Sequence, residues 1–100
     1  MAKNTAILAE FDPVEYLDCP ESIQAYIDEA VATGDAAFIS ESLGVVAKAR
    51  GMTDLATKTG LSRETLYRTL SPKGNPNLKT LLAIINALGL TFNLKVHKHA

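Results

Sequence analysis

One hundred residues, 47% hydrophobic and 21% charged, describe one compact domain with its own core rather than a disordered chain. A lone cysteine, Cys19, excludes a disulfide-built scaffold, no apolar run approaches the ~20 residues of a membrane span, and Ala6-Ile7-Leu8-Ala9 before Glu10 is too short for a signal peptide, so a cytoplasmic protein is expected. Net charge is only −1, yet it is sorted: residues 1–47 hold nine acids and one cation, net −8, and residues 48–100 hold nine cations and two acids, net +7.

Residues 1–19 read as an acidic N-terminal arm, and residues 20–100 as a single helical domain. The first helix is predicted from Pro20 to about Thr33. Proline suits a first helical turn, where its missing N–H has no partner to lose, and Gly34 supplies the stop. Ile23, Tyr26, Ile27, Ala30 and Val31 recur at helical spacing as one apolar stripe. Asp35 is placed to cap a second helix ending near Arg50, with Ile39, Leu43, Val46 and Ala47 as its buried face. Lys48 and Arg50 in its last turn complement the helix dipole. Thr53 is expected to cap a third helix through about Lys58, closed by Gly60, and Ser62 a fourth through about Leu70. Ser71-Pro72-Lys73-Gly74-Asn75-Pro76 is a loop, because proline disrupts a helix interior. Asn77 then caps a fifth helix carrying Leu78, Leu81, Leu82, Ile85 and Leu88, stopped by Gly89. Beyond it Leu90, Phe92, Leu94 and Val96 alternate with Thr91, Asn93, Lys95 and His97, the period of a short strand over residues 90–96. Such a strand needs a partner, either residues 5–11 or the same strand of a second chain. The fold class is all-α: five helices and one short C-terminal strand.

The stretch from Thr53 to Leu70 has the pattern of a helix-turn-helix. Ala56 is small where two helices cross closely, and Gly60 suits a turn of positive φ. Leu55, Leu61, Leu66 and Leu70 are spaced for burial between the two helices and their supports. Arg63, Glu64, Tyr67 and Arg68 are left outside on the second helix, behind the Ser62 cap. Donors and acceptors near the start of such a helix are what reach base edges in a major groove. Capping and phosphate contact are compatible for Ser62, since a helix N-terminus attracts phosphate. Thr53, Thr65, Ser71 and Lys73 complete the expected DNA-contacting set, and the basic half of the chain supplies the field that draws a polyanion.

Residues 45–90 resemble the five-helix XRE/Cro-type helix-turn-helix domain of phage repressors, through Gly51-Met52-Thr53, Leu55-Ala56, Gly60-Leu61-Ser62-Arg63, Gly74-Asn75-Pro76-Asn77-Leu78 and Ala87-Leu88-Gly89-Leu90. A longer string covers about residues 11–96: Phe11-Asp12, Tyr16-Leu17, Gly34-Asp35, Ala49-Arg50, Glu64, Leu66-Tyr67 and Leu70-Ser71-Pro72. With these the chain resembles the small addiction-module antidote proteins, HigA-like antitoxins of bacterial type II toxin–antitoxin pairs. One position departs: XRE domains commonly place Gln at the start of the first motif helix, and this chain reads Met52-Thr53-Asp54-Leu55.

The resemblance implies a double role, neutralising a partner toxin and repressing the antidote's own operon. The implied partners are double-stranded operator DNA, a small basic toxin of the RelE/ParE type and a second copy of the chain, with no membrane and no cofactor. A single motif covers too little DNA for specificity, so a homodimer on a two-fold operator is expected. Charge complementarity makes the acidic arm the expected toxin-facing surface, with Glu10, Asp12, Glu15 and Asp18 as its contacts. Two alternatives stand beside this reading: a protein-interaction module or toxin inhibitor without DNA binding, and a stand-alone phage-type repressor. An enzyme is not expected. Cys19 has no histidine in the body of the chain to act as its base, and His97 and His99 form a two-ligand pair on a tail, so no catalytic or metal-binding residue is assigned.

Overall fold

The computed structural model describes residues 13–97. Among these residues six helices follow one another: α1 (Pro13–Tyr16), α2 (Pro20–Ala32), α3 (Ala36–Arg50), α4 (Met52–Thr59), α5 (Arg63–Thr69) and α6 (Leu78–Ala87). The five predicted helices are α2 to α6. The extra turn, α1, lies within the expected N-terminal arm and is followed by Leu17, which is buried in the core. No strand forms among the described residues. The segment over residues 90–96 leaves α6 as unpaired chain, so the expected C-terminal strand is not seen among the described residues of a single copy: the alternation is present, but a strand exists only with a partner ladder. Residues 5–11, one of its two candidate partners, lie outside the described residues.

Three of the predicted caps form. The Asp35 carboxylate accepts the Ala37 N–H at 3.0 Å, the Ser62 hydroxyl oxygen accepts the Thr65 N–H at 3.0 Å, and Asn77 Oδ1 accepts the Thr80 N–H at 2.8 Å. Thr53 does not cap α4. The helix starts at Met52 with Gly51 in the cap position, two residues before the expected one, so Thr53 sits in its first turn. Met52 is buried, and this anchoring of the helix start outweighs the local capping preference of Thr53.

Helix α3 is the hub, packed against α1, α2, α4 and α5, while α6 packs on α4. The core runs through Leu17, Ile23, Leu43, Val46, Leu55, Leu66, Ile84 and Leu88. Leu55, Leu66 and Leu70 are buried and Leu61 packs against the core, as their spacing predicted. Val31 is 54% exposed and leaves the predicted stripe of α2. Eight residues overshoot two turns of a 3.6-residue helix, so a stripe begun at Ile23 has rotated toward solvent by Val31.

Candidate nucleic-acid interface

Gly60 ends α4 in the left-handed conformation at φ 77°, where a side chain would be strained, and its N–H bonds the Ala56 carbonyl at 2.9 Å. The chain then turns through Leu61 and Ser62 into α5. Thr59 tightens the corner: its hydroxyl donates to the Leu55 carbonyl at 2.8 Å and accepts the Leu61 N–H at 3.3 Å. Helix α5 has seven residues, too short to persist alone, and its anchor is Leu66, which is 0% exposed.

With Leu66 inward, Arg63, Glu64, Tyr67 and Arg68 form an exposed arc. Arg63 with Tyr67, and Glu64 with Arg68, stand one turn apart and are neighbours on that arc. Among the described residues Arg63, Arg68 and Lys73 have no carboxylate partner. Ser62 is exposed and donates its own hydroxyl hydrogen to Thr65 Oγ1 at 2.8 Å, and Thr65 is half-buried. Ser71 is half-buried and its hydroxyl donates to the Arg68 carbonyl at 2.8 Å, closing the last turn of the helix. In the loop that follows, a Cβ at Gly74 would collide with the Thr69 carbonyl oxygen, so only glycine lets this loop fold back against the end of α5. Lys73 is exposed on that loop, and Thr53 is exposed on α4.

Lys48 joins this surface although the sequence reading gave it only a helix-dipole role. Its Nζ stands 5.9 Å from the centroid of the Tyr67 ring, within cation–π range. The last turn of α3 is thereby tied to the exposed arc of α5, and both side chains line a shallow groove with Ser71 and Pro72. No local signal links positions nineteen apart, and only the packing of α5 on α3 brings them together. Asp54 pairs with Lys58 one turn along α4 at 3.1 Å.

Most of the acids lie elsewhere in the chain, although Glu41 lines the same groove as Lys48 and Tyr67. Of the expected toxin contacts, Glu15 and Asp18 are exposed on α1 and the turn behind it, and Glu10 and Asp12 lie outside the described residues. Glu21, Asp28, Glu29, Asp35 and Glu41 are exposed on α2, α3 and their junction. Cys19 is half-buried at the start of α2, where its thiol meets Ser22 Oγ at 3.5 Å. His99 lies outside the described residues, and no described helix is long and apolar enough to cross a membrane.

A family model described as "probable addiction module antidote protein" matches residues 7–96. The chain belongs to this family. The chain is also 38% identical, over 96 residues, to a Haemophilus influenzae (strain ATCC 51907 / DSM 11121 / KW20 / Rd) protein described only as an uncharacterized protein, covering 96% of this chain and 99% of that one. No solved structure matches the chain. Family membership implies a toxin as its partner.

Proposed function

We propose that this chain is a HigA-like antitoxin with an XRE-type helix-turn-helix, in which α4 and α5 are the two motif helices and α5 lies in the major groove of the operator. It represses its own operon as a homodimer in the cytoplasm. It also neutralises a small basic toxin of the RelE/ParE type through the acidic surface that includes Glu15 and Asp18. The observation that carries the DNA reading is the pair Arg63 and Arg68, exposed and without a carboxylate partner on a helix whose opposite side is locked by Leu66. Thr53, Ser62, Glu64, Thr65, Tyr67, Ser71 and Lys73 complete the contact set, with Lys48 added by its position over Tyr67.

The test is fluorescence anisotropy on a duplex from the region preceding the chain's own reading frame. The Arg63→Ala, Arg68→Ala double variant is expected to lose at least about 100-fold in affinity, the sum of two base or phosphate contacts, with its helical circular dichroism intact. Unchanged affinity sinks the reading. It would leave the alternative, a toxin-binding module that keeps the two-helix corner as scaffold, which the exposed Asp54 at the start of α4 favours.

A further inference from the structure

We propose that residues 90–96 form the homodimer interface, pairing with the same segment of a second copy as an antiparallel two-stranded ribbon centred on Leu94. This deepens the operator reading and rests on it only for the two-fold. Two elements compete for the role. Helix α6 is largely spent within its own chain, since Ile84, Ile85 and Leu88 are buried and Leu81 packs on the core, which leaves Leu78 as its exposed large apolar side chain. The segment behind it is not. Leu90 packs on the core and its N–H bonds the Ile85 carbonyl at 3.0 Å, which fixes the root of the segment on the body. From there Phe92, Leu94 and Val96 are 49, 82 and 92% exposed, and the backbone of residues 91–96 has no hydrogen-bond partner among the described residues. An unpaired segment whose large apolar side chains alternate with polar ones is the form that edge-to-edge pairing uses.

The alternation also selects the occupant. Residues directly opposite in an antiparallel pair share a face. Apolar can therefore oppose apolar here only if even-numbered residues meet even-numbered ones, and in a two-fold pair this sets one residue against its own copy. Lys95 against itself would oppose like charges, and Asn93 against itself would set Val96 against Leu90, which is already packed on the core with its N–H bonded to Ile85. Leu94 against itself sets Phe92 against Val96, a favourable aromatic to β-branched pair, and Lys95 against Asn93. Residues 5–11 fit less well, because the consecutive Ala6-Ile7-Leu8-Ala9 offers no polar face to match Thr91, Asn93 and Lys95. A basic partner is disfavoured by the positive charge of Lys95.

The experiment measures the mass of the full chain without DNA, by light scattering across a concentration series, for the wild type and for the Leu94→Asp, Val96→Asp double variant. The expected result is a two-chain mass for the wild type at the upper concentrations. The variant should give a single-chain mass throughout, with the thermal midpoint that the wild type shows at concentrations where it too is single-chain, because both side chains stand outside the single-chain core. A wild type that stays single-chain overturns the proposal, as does a variant that stays two-chain. A variant with unchanged mass but a lowered midpoint also overturns it, by identifying a cover from within the chain. In a Cys19→Ser background, Leu94→Cys is expected to form a disulfide-linked dimer on mild oxidation, since opposed Cα atoms lie within disulfide reach. Failure to link overturns the register. A two-chain wild type that ignores operator DNA would sink the operator reading and leave this interface standing.

Discussion

Two neighbours on α3 test how tightly the hub is built, and they act with opposite signs. Gly44 is buried in mid-helix, where alanine would ordinarily stabilise by about 1 kcal/mol. A Cβ there, however, would collide with the Leu70 carbonyl oxygen, which is backbone and cannot step aside without moving the end of α5. Gly44→Ala is therefore expected to destabilise by about 1–3 kcal/mol, the range for overpacking, and to weaken DNA binding through the displaced helix. Ser42, two residues earlier, is equally buried, and its hydroxyl has no hydrogen-bond partner. Removing that desolvated hydroxyl while gaining helix propensity makes Ser42→Ala stabilising by about 1 kcal/mol. Urea unfolding of both variants is the measurement. A stabilised Gly44→Ala would mean that α3 and α5 are not held at this distance.

At the level of elements, Ser62 carries two roles that a single substitution separates. It caps α5, and it is a proposed phosphate contact. Aspartate caps a helix as well as serine does, but it brings a negative charge to the surface that would meet DNA. Ser62→Asp is expected to hold thermal stability within about 0.5 kcal/mol while lowering operator affinity about tenfold or more, and Ser62→Ala to lose about 1 kcal/mol of stability. An aspartate variant that binds the operator normally would leave Ser62 a cap alone. The caps at Asp35, Ser62 and Asn77 were legible in the sequence because a cap is a contract between residues two or three apart. The buried leucines of the corner were legible because helical period alone sorts them. What the sequence withheld is non-local. The turn at α1 and the seating of Leu17 depend on packing against α3, and Lys48 meets Tyr67 only through the α3–α5 contact. The 90–96 alternation stated a preference for strand without stating a partner.

Across the whole molecule, the exposed acids of α1, α2 and the first half of α3 stand apart in sequence from the cations of Lys48 and α5, and the two proposed partners have opposite charge. Electrostatic complementarity acts mainly on encounter: it raises association rates and fades with salt, while close contacts govern dissociation. Glu15 and Asp18 are exposed, so reversing both to lysine should leave the fold intact. If the acidic surface faces a basic toxin, the Glu15→Lys, Asp18→Lys variant should associate with it about tenfold more slowly at low ionic strength, with the difference shrinking as salt is added. The same variant should keep its operator affinity or gain slightly, because the long-range field at the DNA face becomes more positive. Stopped-flow association with the toxin, beside anisotropy on the operator, reads both partners on one protein. A toxin rate that does not change would remove α1 and the turn behind it from the toxin-facing surface, and a parallel loss on both partners would mean that the reversal acts through the fold rather than through either interface.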